Sequence, residues 1–396
     1  MGAGSKTVVL GRSATVPGIA VFTDTLDQVN GVSNTYQYLA AYCRRRKIDL
    51  DFFTYGSRTS LEKQGSVRIY RYRPRLPIRY YAGLVFDLWT PRGNLLKDCR
   101  EGGYGLIHAA TPGSMGLNAL AAAKKLRLPL VGVYHTALPE YVETRRRSLM
   151  TRLGLPSDLL ERSTLEVCWK FVEWFYRHCQ TVLAPSSSIA RTLERRIRVP
   201  MDRFSRGVDA RKFSPEHRQE PARTTVLYVG RVSVEKNLPL LARIFRSRRD
   251  ARLVVVGDGP FRSRMEREAP NAKFTGFVTG LDLSRAYASS DLFAFPSETD
   301  TFGNVVLEAM SSGLPVVVTD KMGPRELVDH GSNGFIASND REFERYLDRL
   351  IKDKELRRSM GARSRTMALE RTWDAVFGSL FDSYRKVIRE CREPVA

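Results

Sequence analysis

Arg231 and Lys236 stand five positions apart in Gly230-Arg231-Val232-Ser233-Val234-Glu235-Lys236-Asn237, directly after the apolar run TTVLYVG. On a turn from strand to helix, two such cations face a diphosphate from two sides. Arginine brings a planar fork and lysine a movable point charge; equally, both are solvated or partner Glu235. The segment from Pro296 to Met310 is richer. Asp300 falls in a loop, and Glu308 lies more than a turn into a helix starting near Gly303. Carboxylates there accept hydrogen bonds from sugar or ribose hydroxyls, while backbone N–H groups of Thr301, Phe302, Gly303 and Asn304 hold an oxyanion or phosphate. The plainer alternative makes Asp300 a helix cap and Glu308 the partner of a surface base. A third loop, Asp27 to Ser33, brings Gly31 and Val32 to a helix start whose amides also suit an anion. Asn30-Gly31 reads equally well as a simple turn. His135, a lone histidine closing the run PLVGVYHT, reads from its surroundings as a buried structural residue.

A different chemistry is suggested by residues 68–81, where five arginines interleave with aromatics. Arg71, Arg73, Arg75, Tyr80 and Tyr81 belong to it, Trp89 follows, and Arg145, Arg146 and Arg147 form a second basic cluster. Such a face docks on an anionic membrane with its aromatic rings at the headgroup level. Alternatively, residues 67–73 are an alternating strand with a solvated arginine face. The chain carries a net charge of +21, and its first 200 residues hold 30 bases against 15 acids. The excess is therefore local, which implies an anionic partner: nucleic acid, phospholipid or a phosphorylated substrate. A nucleic-acid groove would use the same Arg-Tyr interleaving. It leaves the loops of the second half unexplained, and no nucleic-acid motif is present, so no nucleic-acid partner is expected.

These residues need elements to hold them. From residue 18 the chain alternates short apolar runs with helical stretches: GIAVFTD, DLDFFTY, SVRIYRY, GLIHAATPG, PLVGVYHT and TVLAPSS. A second series of six begins near residue 224, with TTVLYVG, ARLVVVG, AKFTGF, DLFAFPS, PVVVTD and GFIA. The alternation predicts an α/β chain with two doubly wound parallel sheets and a boundary near 202–210. A length of 396 residues suits two domains. Residues 372–390 carry one continuous apolar stripe, predicting a core-facing helix. Five scattered cysteines indicate neither a disulfide framework nor a zinc site, and a reducing cytosol fits. No apolar run is long enough to span a bilayer.

Taken together the segments resemble family 4 retaining glycosyltransferases of the GT-B fold, from about Gly18 to the C-terminal helix. GRVSVEKN, GDGP, ETDTFGNVVLEAMSSGLPVVVT and GPRELVDHGSNGF carry the resemblance most strongly. FTDTLDQVNGVSNT, VYHTALPEY, LAPSSSIARTL and RGVDARKFSP add to it. The subgroup most resembled includes GDP-mannose-dependent mannosyltransferases and the glycosyl- and sulfoquinovosyl-diacylglycerol synthases. The resemblance implies two Rossmann-like domains around a cleft. The acceptor-binding domain is 1–204, completed by the helix 374–396, and the nucleotide-sugar domain is 205–373. It implies that Arg231 and Lys236 neutralise the donor diphosphate. Glu308 then binds the ribose hydroxyls, and Asp300 replaces the first glutamate of the family's E-x7-E signature. Gly31 matches the N-terminal glycine loop, and His135 the histidine near the donor sugar. The implied reaction moves a hexosyl group from a UDP- or GDP-linked sugar to an acceptor hydroxyl with retention of configuration, with no metal and no cofactor. The acceptor is a membrane lipid or glycolipid, or alternatively a soluble or polysaccharide glycan. A non-catalytic sugar-nucleotide binding protein is the different-class reading. The expected location is cytoplasmic, peripheral at the inner face of the membrane.

Overall fold

A computed structural model of the chain describes residues 18–28, 31–75, 77–79, 85–87, 92–135 and 161–392, together with 139, 142, 143, 146 and 150. The chain divides into two compact units. The first takes residues up to Tyr134 with Trp174–Leu183 and Leu380 onward; the second takes His135–Glu173 and Ala184–Ser379. Changes thus fall at 134/135, 173/174, 183/184 and 379/380; the expected domain bounds are after 204 and 373.

In the first unit, β1 (Gly18–Phe22), β2 (Leu50–Tyr55), β3 (Ser60–Gln64) and β4 (Val67–Tyr72) are followed by the antiparallel pair β5 (Pro77–Arg79) and β6 (Val85–Asp87). Then come β7 (Tyr104–Ala109), β8 (Leu130–Val133) and β9 (Thr181–Ala184). Within this unit the sheet runs β9-β8-β7-β1-β2-β4-β3. Every pairing is parallel except β3 with β4. All five residues of β1 and all six of β2 are buried, as expected of central parallel strands covered on both faces. Phe22 stacks on Phe53 at 4.6 Å, and Phe53 on Tyr70 at 4.8 Å, so aromatic rings tie three neighbouring strands.

The second unit opens with the short β10 (Met201–Arg203). It continues with β11 (Thr225–Val229), β12 (Arg252–Val256), β13 (Lys273–Gly276), β14 (Leu292–Phe295), β15 (Val316–Thr319) and β16 (Gly334–Ala337). Six of these run β13-β12-β11-β14-β15-β16, all parallel. Both sheets therefore share one strand order, 3-2-1-4-5-6 when their parallel strands are counted along the chain. That order reverses between β1 and β7, and between β11 and β14. In open α/β sheets ligands bind beyond the carboxyl ends of the strands at such a reversal.

The closing helix Trp373–Arg392 turns its apolar stripe inward, as expected: Phe377, Leu380, Phe381, Tyr384, Val387 and Ile388 are buried. Within the first unit its last turns are pinned by His108, a fully buried side chain of β7. The Tyr36 hydroxyl lies 2.6 Å from His108 Nε2 and the Tyr384 hydroxyl 2.7 Å from Nδ1. Burial pushes the imidazole down to about 3, so it stays neutral, with one ring nitrogen donating and the other accepting. Unfolding lets this histidine protonate below about 6.5, so its contribution to stability is lost as pH falls from there toward 3. Between pH 7 and pH 5 the first unit should lose about 2 kcal/mol more in the wild type than in His108→Gln. Urea midpoints of both proteins at the two pH values measure this.

Candidate active site

At the β11/β14 reversal the two loops singled out by their residue types meet. β11 ends at Val229, and the chain passes through Gly230 and Arg231 to a single 3-10 turn, Val234–Lys236. β14 ends at Phe295, and the loop 296–303 delivers the chain to the helix Asn304–Ser311. The Lys236 ammonium lies 2.7 Å from Asp300 Oδ2, with both side chains about a quarter exposed. Ser297 donates its hydroxyl to the same oxygen at 2.5 Å, and Thr319 anchors Ser297 through its carbonyl at 2.9 Å. Asp300 therefore does not cap the helix. The N-cap is Gly303, in the left-handed region at φ 88°, and no side chain caps that helix end. Its first amides are open to an anion. Phe302 is a core residue, leaving its backbone to the loop.

Arg231 reaches Glu235 at 3.7 Å, so the plainer sequence alternative holds in part for this residue. Its carbonyl accepts from the Tyr228 hydroxyl at 2.9 Å, fixing the loop on the sheet. Two glycines let the backbones close up around both loops. A Cβ at Gly257, whose φ is +131°, would sit 2.0 Å from the Gly230 carbonyl oxygen. One at Gly323 would sit 2.0 Å from that of Thr301, and the Gly323 amide donates to the Asp300 carbonyl at 3.1 Å. The GDGP and GPREL segments are thus braces for the two loops.

Glu308 faces inward from the helix and accepts from the Tyr287 hydroxyl at 2.8 Å. Although the residue as a whole is only partly buried, its carboxyl group is shielded from water. Burial pushes it up to about 7, against the opposing pull of the Tyr287 hydrogen bond and the Lys212 charge. It is not the partner of a surface base.

His135 is buried. Arg206, also buried, donates from Nη2 to His135 Nδ1 at 2.7 Å. A guanidinium only donates, so Nδ1 is the acceptor and the ring proton sits on Nε2. The His135 carbonyl accepts from the Thr301 hydroxyl at 3.2 Å, which joins this histidine to the Asp300 loop. Arg206, Ser297, Tyr228 and Tyr287 went unnoticed in the sequence; RGVDARKFSP pointed to Arg206 only as part of a motif.

In the first unit, Gly31 opens the helix Gly31–Arg46 and Val32 is partly buried; Asn30 lies outside the described residues. The loop after β1 is fixed by Asp24, which is buried and accepts from Thr111 Oγ1 at 2.6 Å, Ser114 Oγ at 3.0 Å and the Met115 amide at 2.8 Å. Burial raises its carboxyl above the usual range in spite of those bonds. The basic set divides. Arg71 is held by Asp27 at 3.1 Å and Glu62 at 2.6 Å, so its charge is neutralised along the sheet edge. Arg146 corrects the sequence reading outright: it is buried and clasps Glu143 through two bonds of 2.6 and 2.8 Å, presenting no charge to a surface. Arg73 and Arg75, beyond the end of β4, are exposed. Tyr80, Tyr81, Trp89, Arg145 and Arg147 lie outside the described residues.

Two family models match the chain: "Glycosyltransferase Family 4" over residues 29–212 and "Glycosyl transferases group 1" over 209–367. A GDP-mannose-dependent alpha-mannosyltransferase of Mycobacterium tuberculosis is 31% identical over 376 residues, covering 91% of this chain and 94% of the relative. The chain is a family 4 glycosyltransferase. A sulfoquinovosyl transferase of Arabidopsis thaliana is likewise 31% identical, over 88% of this chain and 69% of its own. An alpha-monoglucosyldiacylglycerol synthase of Streptococcus pneumoniae is 25% identical over 76% and 70%. Among solved structures, sucrose-phosphate synthase from Thermosynechococcus elongatus superposes with a TM-score of 0.72 at 18% identity, over 94% of this chain and 99% of that one. The likeness shows the GT-B fold. This glycosyltransferase is a hexosyltransferase that takes its sugar from a nucleotide sugar.

Proposed function

We propose that this glycosyltransferase transfers the hexosyl group to a hydroxyl of a membrane lipid or glycolipid, with retention of configuration and without a metal ion. The observation that carries the reading is the pairing of Lys236 with Asp300 at the strand-order reversal of the second sheet, with Arg231 on the same loop as Lys236 and Glu308 on the helix that follows Asp300.

Departure of the nucleoside diphosphate is the difficult step, because negative charge grows on its bridging oxygen as the glycosidic bond stretches. Arg231 supplies a fork and Lys236 a point charge to the two phosphates, and the uncapped amides at Gly303 and Asn304 add fixed dipoles. Groups of this kind act most strongly where charge develops, and they need no reorganisation at that moment. Asp300 orients the Lys236 ammonium and accepts from a sugar hydroxyl. Glu308, as the carboxylate, accepts the ribose hydroxyls. His135, with its proton on Nε2, donates to the sugar, and Arg206 is the positioning residue that sets that tautomer. The acceptor hydroxyl attacks the face the diphosphate leaves and passes its proton to a departing phosphate oxygen, so the configuration is kept and no enzyme nucleophile is required.

Support for a lipid acceptor comes from the diacylglycerol synthase among the relatives and from the basic first half of the chain. Among the described residues no helix is long and apolar enough to cross a membrane, and we place the enzyme peripherally, at the inner face of the cytoplasmic membrane. A panel of UDP- and GDP-sugars should identify one pair that releases nucleotide when lipid extract is added. NMR of the product should then give the anomeric configuration of the donor. Release of nucleotide only with soluble glycans, or an inverted product, would overturn the corresponding part of the proposal.

A further inference from the structure

The helix Asn304–Ser311, which carries Glu308, has only 8 residues and is too short to keep its place by its own hydrogen bonds. Its far end is held from the helix Lys354–Leu369. There Gly361 packs against the turn that follows Ser311, and a Cβ on it would sit 2.2 Å from the Gly313 carbonyl oxygen. One turn on, Arg365 donates from Nη1 to the Ser311 carbonyl, to Ser311 Oγ at 2.9 Å and to the Phe213 carbonyl at 2.9 Å, and from Nη2 to the Ala210 carbonyl at 3.1 Å. Ser311 Oγ in turn donates to the Phe213 carbonyl at 2.7 Å. A cation over the last carbonyls of a helix satisfies their lone pairs and suits the negative end of the dipole. The same arginine thus fixes the surroundings of Glu308 from two sides. Through Ser311 it holds the helix less than a turn beyond Glu308. Through Ala210 and Phe213 it holds the segment 209–213, which Asp209 tightens by accepting from the Arg211 and Lys212 amides at 3.1 Å each. That segment reaches Glu308 twice. The Phe213 ring meets Tyr287 edge-on at 5.4 Å, and Tyr287 is the hydroxyl donor to Glu308. The Lys212 charge acts on the Glu308 carboxyl itself.

We infer that Arg365 is a positioning residue for the donor: by tying Ser311 to Ala210 and Phe213 it holds the Glu308 carboxylate, the Tyr287 hydroxyl and Lys212 in the arrangement that grips the ribose. The inference rests on the proposed role of Glu308 toward the ribose and adds the residue that keeps the carboxylate in place. Arg365 acts through Glu308 and leaves the diphosphate to Arg231 and Lys236. Its loss therefore weakens ribose recognition and spares the phosphates. Lysine at this position keeps a cation at the helix end but has no fork with which to bridge both segments.

The test is calorimetry on the full chain with UDP or GDP, whichever binds, with its dideoxyribose analogue, and with inorganic pyrophosphate. The wild type should prefer the ribonucleotide to the dideoxy form by about 10- to 100-fold, the scale of one or two charged hydrogen bonds. Arg365→Met should cut that preference about 10-fold while pyrophosphate binds as before, and Arg365→Lys should recover part of it. In a Glu308→Gln background, Arg365→Met should change none of these affinities further, because residues that act through one contact are not additive. Steady-state kinetics should show the same split, with donor KM raised and kcat at saturating donor little changed. Ser311→Ala, which deletes only the hydroxyl between Arg365 and Phe213, should cut the preference about 3-fold and serves if Arg365→Met does not fold. A ribose preference that survives in the folded variant, or an equal loss for all the probes, would overturn the inference alone. A wild type that binds the ribose and dideoxyribose forms alike would overturn the role of Glu308 and the inference with it.

Discussion

Lys236→Ala should lower turnover by about 10²-fold or more while the protein stays folded, the scale of losing one preorganised charge contact in a transition state. Two effects combine. The variant removes a cation from the departing diphosphate, and it leaves Asp300, which lies 2.7 Å from the ammonium in the wild type, as an uncompensated carboxylate beside the phosphates. The second effect is separable. Lys236→Ala/Asp300→Asn should bind donor more tightly than Lys236→Ala alone, yet recover little turnover, because neutralising the carboxylate does not restore the missing cation. A single Asp300→Asn should keep diphosphate binding and lose turnover through the sugar contact. Steady-state kcat and donor KM for the four proteins check this. Lys236→Ala with near-wild-type kcat would remove the lysine from the mechanism.

Glu308→Gln should raise donor KM by about 10- to 100-fold at pH 8, since the amide accepts from the ribose hydroxyls without a charge. The wild-type pH profile is the sharper readout. The carboxyl is raised by burial to about 7, so the form that accepts ribose hydroxyls is populated only above that value. Donor affinity should rise as pH goes up through 7 in the wild type and stay flat in the variant. Stability moves the other way. A carboxyl raised on folding binds its proton more tightly in the native state, so its stabilising effect is present at low pH and lost as pH rises from about 4.5 to 7. Above pH 7.5, Glu308→Gln should therefore be more stable than the wild type, by about 3 kcal/mol. Thermal melts of the donor-free proteins at pH 5 and pH 8 give the comparison.

The strands of both sheets were legible because a parallel strand covered on both faces reads as an unbroken apolar run, and the twelve runs picked out coincide with β1, β2, β4, β7 to β9 and β11 to β16. β3 was not legible. Ser60–Gln64 is SLEKQ, an exposed antiparallel edge strand with no apolar face to advertise it. Arg231, Lys236, Asp300 and Glu308 were found because polar chemistry at the end of an apolar run is conspicuous. Tyr287 and Arg206 were hidden, since nothing in local spacing tells that a tyrosine in helix Gly280–Ala288 faces a carboxyl 21 positions on. Counting bases misjudged Arg71 and Arg146 for a related reason. Composition registers charge, whereas pairing of Arg71 with an aspartate 44 positions away is a product of the tertiary fold.

The central claim is that fixed positive charge at the β11/β14 reversal holds a pyrophosphate. Calorimetric titration of the wild type and Arg231→Ala/Lys236→Ala with a nucleoside diphosphate and its monophosphate tests it most directly. The account predicts that the wild type prefers the diphosphate by about 10-fold or more and that the double variant, still folded, binds both alike. A diphosphate preference that survives the loss of both cations would contradict it.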